Sequence, residues 1–190
     1  GAKPDDLWVV GKAFEGKAVL LHYDGKLWKK RDAGSAQTLL TIFGLRADLI
    51  YAAGHQGTIL RYDGKDWQSI AGIDTTQKLN GLFGISERDL WAVGHGGTAL
   101  HFTGKSWSLV STETKRNLNS GWTSGNGEAW VAGDHGTLLR YDGKRFVPTD
   151  VGEMSDLDTV SGFIGPGGRT LFIGGDPATL VEIRPVLECF

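Results

Sequence analysis

Three observations predict an all-β fold, a β-propeller of four-stranded antiparallel blades. The chain repeats itself about every forty residues, the length of one blade. Within each repeat the apolar residues fall in short β-branched and aromatic runs, with no sustained 3.6-residue period. Glycine supplies 29 of the 190 residues, about twice its ordinary share, and sits between the runs with Asp, Asn and Ser, where chains turn.

Taken in order, the repeats read DLWVVG to Gly11, LIYAAG to Gly54, DLWAVG to Gly94, EAWVAG to Gly133 and RTLFIG to Gly174. The second, third and fourth continue as GHQGTILRYDGKDW, GHGGTALHFTGKSW and GDHGTLLRYDGKRF. The first inserts a longer loop with Lys12, Phe14, Glu15 and Lys17 before AVLLHYDGKLW, and the fifth keeps only ATLVEI from Ala178 onward. In the second repeat this pattern predicts strand A at 39–43, B at 49–53, C at 58–62 and D at 66–70. Asp63-Gly64 between C and D predicts a two-residue type I′ hairpin, with φ > 0 at both central residues. Asp24-Gly25 and Asp142-Gly143 repeat it, and Thr103-Gly104 keeps the glycine. Such tight hairpins are antiparallel, which excludes a parallel solenoid.

The predicted blades are 7–31, 39–70, 79–110, 118–149 and 157–190, in a single domain spanning 1–190. The first lacks room for an inner strand A, so five repeats fall one strand short of five complete blades. Either the ring closes with five blades, with the tail VLECF completing the first, or the chain forms part of a larger propeller; an open edge would favour oligomers. Trp8, Tyr51, Trp91 and Trp130 in strand B, with Phe43, Phe83, Trp122 and Phe163 near the end of strand A, are the predicted core between blades.

Composition removes several functional classes. Twenty Lys and Arg against 22 Asp and Glu leave a net charge of −2, with no overall pull toward nucleic acid or anionic lipid. Cys189 is the single cysteine, which excludes an internal disulfide framework and a C-x-x-C zinc site. No apolar run approaches the roughly 18 residues of a membrane helix, so no membrane insertion is expected. A 40% hydrophobic content with seven Trp excludes a disordered chain.

The blade consensus D-L-W-A-V-G-x-x-G-T-x-L-x-Y-D-G-K-x-W, over about residues 6–183, resembles the repeats of bacterial BNR-like and photosystem II assembly-factor-like propellers. That resemblance implies a scaffold repeat of secreted, periplasmic and surface proteins, and hence a periplasmic or extracellular location. The hairpins at 62–67 and 141–146 are one residue shorter between Asp and the aromatic than the S-x-D-x-G-x-T-W box of sialidases.

Propellers bind through the face that carries their B–C and D–A loops. The candidate ligand-binding residues there are Lys12, His55, His95, Asp134, His135 and Asp176, a circle of imidazole, carboxylate and ammonium groups. Each is also an ordinary polar turn residue beside glycine. Equivalent positions on different blades lie too far apart to share an ion, so neither metal nor cofactor is expected. The D-strand rings Trp67 and Trp107, with Trp28 and Phe146, either stack on sugars as in a lectin or pack at the edge of each blade. No arginine cluster, nucleophile elbow or H-E-x-x-H motif is present, so no catalytic residue is assigned. The D–A loops at 32–37, 74–78, 112–117 and 152–156 repeat least; Lys115 and Arg116 are basic, Glu153, Asp156 and Asp158 acidic. Mixed charge on variable loops fits a protein partner and not nucleic acid. The expectation is a non-catalytic recognition or assembly scaffold, followed by a carbohydrate-binding lectin with glycan as partner, and third by a sialidase-like glycoside hydrolase.

Overall fold

The computed structural model describes residues 3–15, 17–152, 155–166, 168–176 and 179–183. The strands form five antiparallel sheets that follow one another along the chain. The first holds β1 (Leu7–Phe14), β2 (Lys17–Tyr23) and β3 (Trp28–Lys30); the second β4 (Leu39–Arg46), β5 (Leu49–Gly54), β6 (Ile59–Tyr62) and β7 (Trp67–Ser69). The third holds β8 (Leu79–Ser86), β9 (Asp89–Gly94), β10 (Ala99–Phe102) and β11 (Trp107–Leu109). The fourth holds β12 (Leu118–Thr123), β13 (Ala129–Gly133), β14 (Thr137–Tyr141) and β15 (Phe146–Pro148), and the fifth β16 (Leu157–Gly165), β17 (Gly168–Gly175) and β18 (Thr179–Ile183). The fold is that of a β-propeller. Among the described residues no helix is long and apolar enough to cross a membrane.

Side chains alternate across each strand, so every sheet has a leading face toward the next blade and a trailing face toward the previous one. Four apolar clusters fill the four junctions between consecutive blades. Trp8, Val10, Ala18 and Leu20 of the first blade meet Leu39, Ala52, Leu60 and Trp67 of the second. Leu49, Tyr51, Ala53 and Ile59 meet Leu79, Leu90, Leu100 and Trp107 of the third. Phe83, Trp91, Val93 and Ala99 meet Val131, Leu139 and Phe146 of the fourth. Trp130, Ala132 and Leu138 meet Leu157, Val160, Leu171 and Ile173 of the fifth. Among the described residues no comparable packing joins the fifth blade to the first. Phe163, expected in the core, is therefore 54% exposed: it stands on a leading face that no sixth sheet covers.

Three local readings are corrected. The C–D loops are not type I′ turns, because Gly64 alone takes the left-handed conformation (φ 93°) while Asp63 does not. Asp63 Oδ1 instead accepts from the backbone N–H groups of Lys65 and Asp66 at 3.0 and 2.9 Å, which widens the loop to four residues. Asp24 and Asp142 do the same. The fifth-repeat glycine equivalent to Gly133 is Gly175, not Gly174, since it occupies the same register opposite a C-strand threonine. Lys12 lies within β1 and not in a loop, because β1 continues through a bulge to Phe14. The side chain of Phe14, together with Glu153, Ala178, Cys189 and the tail 186–190, lies outside the described residues.

These turn aspartates give the fold an acid limit. Hydrogen bonds from Asp66 and Lys65 hold the Asp63 carboxyl below the ordinary carboxylate value, those from Arg145 and Lys144 lower Asp142, and the Lys29 ammonium with two backbone N–H groups holds Asp24 well down. A carboxyl whose folded pKa is depressed contributes stability above its unfolded pKa and loses it as pH falls through the folded one. Thermal midpoints should therefore fall as pH drops below about 4, and the triple variant Asp24→Asn, Asp63→Asn, Asp142→Asn should show a flatter dependence in the same scan. An unchanged slope would remove these three groups from the acid limit.

Candidate functional site

Glycine sequence and blade packing together build one face. In the second to fifth blades the B–C turn begins with a glycine whose position has no room for a Cβ: one would stand 2.0 Å from the Thr38 carbonyl oxygen at Gly54, 1.9 Å from that of Lys78 at Gly94, 2.1 Å from that of Asn117 at Gly133 and 2.0 Å from that of Asp156 at Gly175. The next residue donates its N–H to that same carbonyl, at 2.9 Å for His55, 2.9 Å for His95, 3.0 Å for Asp134 and 3.1 Å for Asp176. Farther along, Gly57 N–H donates to Gln77 O at 2.9 Å and Gly136 N–H to Ser155 O at 2.5 Å. In the third blade Thr112 Oγ1 donates to Gly97 O at 2.7 Å, so each turn of the three middle blades is clamped between the D–A loop entering its blade and the one leaving it. Their central residues are left-handed, including the non-glycines Gln56 (φ 56°) and His135 (φ 55°), so side chains there project from a fixed platform.

The clamp positions polar groups of three kinds. His55 and His95 are half-buried, with no side-chain partner among the described residues. Asp134 is internally satisfied: its carboxylate accepts from Asn117 Nδ2 at 2.8 Å and Asn119 Nδ2 at 3.0 Å, and Asn119 also reaches Leu157 O at 3.1 Å on the fifth blade. It holds two asparagines that reach the neighbouring blades, Asn119 toward the fifth and Asn117, whose Oδ1 accepts from Gly96 N–H at 3.2 Å, toward the third; that pairing across strands escapes sequence reasoning. The third kind is an exposed cluster on the fourth blade. Arg116 Nη1 donates to His135 O at 2.7 Å, His135 N–H donates to Asp156 Oδ1 at 2.8 Å, and the imidazole lies 3.8 Å from the same carboxylate. The basic loop at 115–116 and acidic Asp156 thus flank one histidine that remains 69% exposed.

Toward the first blade the same face carries a cavity of about 330 Å³ lined by Lys17, Ala18, Lys30, Arg31 and Asp32. Three of its five residues are cationic, and exposed Lys12 lies on the adjoining strand β1. Asp176 is exposed beside the fifth blade. Two further cavities, about 350 and 440 Å³, belong to the A–B side; Asp6, Trp8 and His22 help line one, Arg46, Glu87 and Arg88 the other. Among the described residues no group of three His, Cys, Asp or Glu could hold a metal ion.

The D-strand rings do not offer a set of sugar sites. Trp107 is 7% exposed and Phe146 wholly buried, and half-buried Trp67 packs edge-on against Trp8 at 5.5 Å. Rings enclosed between blades have no face left for a sugar, which corrects the assignment of Trp67 and Trp107 as ligand-binding. Trp28 alone of the four is exposed, at 48%.

No family model and no curated protein sequence matches this chain. Solved structures do. YCF48 from Cyanidioschyzon merolae is similar over 96% of this chain and 67% of its own, with 14% identity and a TM-score of 0.69. YCF48 bound to D1 peptide is similar over 77% of this chain, with 17% identity and a TM-score of 0.55. The extracellular domain of BT4673 from B. thetaiotaomicron is similar over 96% of this chain, with 16% identity and a TM-score of 0.68. This chain spans 54% of the peptide-bound structure and 26% of the BT4673 one. Identities this low establish the shared fold.

Proposed function

We propose that this chain is a single-domain, non-catalytic recognition scaffold that binds a polypeptide partner through its B–C and D–A loop face. The observation that carries this reading is the clamp at each middle turn, which holds His55, His95, His135 and Arg116 on a preorganised surface. A surface already ordered before binding spends little entropy on it. Lys12, Lys17, Lys30 and Arg31 favour carboxylate-bearing segments at the first-blade end. The peptide bound to YCF48 supports polypeptide as the ligand class, and the extracellular BT4673 domain supports a periplasmic or extracellular setting.

A displayed random-peptide library panned on the chain tests this. Enriched peptides should lose at least about tenfold in affinity on Lys17→Glu with Arg116→Glu, and keep it on Arg46→Ala, which lies on the A–B side. Equal binding to both variants, or a glycan array that gives signal where peptides give none, would overturn the reading.

A further inference from the structure

The trailing face of the first blade repeats the receiving half of the inner junctions, and no occupant stands on it among the described residues. At each such junction an aromatic or apolar pair on the C and D strands of one blade receives a ring from strand B of the blade before. Trp8 enters between Tyr62 and Trp67, with centroids 4.9 and 5.5 Å away. Trp91 enters between Tyr141 and Phe146, at 4.8 and 5.3 Å. Tyr51 packs in one cluster with Phe102 and Trp107. The receiving pairs share one geometry: Tyr62 and Trp67, Phe102 and Trp107, and Tyr141 and Phe146 all stand 5.4 Å apart. Tyr23 and Trp28 of the first blade also stand 5.4 Å apart, yet no ring enters them among the described residues.

Around this empty pair the first blade exposes what the others bury. Leu7 is 36% and Val9 44% exposed, whereas their counterparts Ile50, Ala52, Leu90 and Ala92 are at most 5% exposed. The complementary half stands at the other end of the arc. Phe172 lies three residues before Gly175, as Trp8, Tyr51, Trp91 and Trp130 lie three before Gly11, Gly54, Gly94 and Gly133. It shares the uncovered leading face with Phe163, whose ring is 6.2 Å away. Charges match as well: exposed Lys30 lies two residues after Trp28 on β3, while exposed Asp158 sits on the strand that carries Phe163.

We propose that the trailing face of the first blade is a docking surface for a second copy of this chain, which inserts Phe172 and Phe163 of its fifth blade against Tyr23 and Trp28. The contact is heterologous, one surface meeting a different one, so it generates a ring or a filament and not a two-fold dimer. This inference is tested apart from the loop-face reading, because Tyr23, Trp28, Phe163 and Phe172 are not among the residues of that face.

Sedimentation velocity over a concentration series tests it. The chain should associate reversibly, and Trp28→Asp and Phe163→Lys, both at exposed positions, should each weaken association by at least about tenfold. Unchanged circular dichroism and thermal midpoints for the dilute variants would show that the fold is intact. Mixing the two variants should restore one good junction and give dimers and nothing larger. A chain monomeric at every concentration would overturn the proposal, as would association untouched by Phe163→Lys or a mixture no larger than the separate variants.

Discussion

Trp91→Ala should lower the free energy of unfolding by about 3–5 kcal/mol, read as a shift in the urea midpoint. Trp91 is 2% exposed at the junction of the third and fourth blades. Its ring stacks on His101 at 3.7 Å, meets Tyr141 and Phe146 edge-on, and donates its Nε1–H to Asp89 Oδ1 at 2.8 Å. Truncation would leave a ring-sized cavity with faces on two blades, neither of which can collapse without moving a whole sheet. It would also free Asp89 Oδ1 from one of two partners, the other being His101 Nε2 at 2.9 Å. In a blade array each sheet depends on its neighbours, so amide exchange should quicken first in β9 and β13. Trp28→Ala supplies the contrast: in monomeric, dilute solution its effect should stay within about 0.5 kcal/mol. Equal losses for the two tryptophans would mean that junction packing is not what stabilises the fold.

Gly94→Ala should cost about 3 kcal/mol or more, although its backbone (φ −174°) suits any residue. The obstacle is distance: the new methyl would lie 1.9 Å from the Lys78 carbonyl oxygen and 2.9 Å from Leu79 Cα. Backbone on both sides is held by the bond from His95 N–H to that carbonyl, so relief requires breaking the clamp. Gly143→Ala has the opposite cause and a smaller effect. Nothing lies within 4 Å of the added atom, and the φ of 96° alone should cost about 1 kcal/mol. Thermal unfolding of the two variants checks the ranking. Gly94→Ala should also loosen the loop face, with faster amide exchange at His95 and Gly97; a reversed order would refute the close-approach account.

Much of this was legible in the residues because it is local. The forty-residue period, the strand runs and the position of each turn follow from alternation and glycine placement within a few neighbours. The three strands of the first sheet were legible too, as the B, C and D runs of the motif. His135, Arg116 and Asp156 could be singled out as variable polar loop residues, while their meeting around one backbone segment could not. The misread turns fail for a local reason: an Asp-Gly pair fits both a type I′ hairpin and a wider loop closed by the aspartate side chain, and only the loop's backbone geometry separates them.

Trp28, Trp67, Trp107 and Phe146 hold one position in one motif, yet two are buried, one is half-buried and one stands exposed. Period and motif therefore determine the blade, its hairpins and which side chains share a face. Whether a face is covered depends on the blade behind it, and a repeat carries no record of its neighbour. The same holds for Gly94, required by a carbonyl beside its register partner on the adjoining strand β8, and for Asp134, satisfied by asparagines at the start of β12. Burial and close approach are properties of pairs of surfaces, so tertiary packing alone decided them.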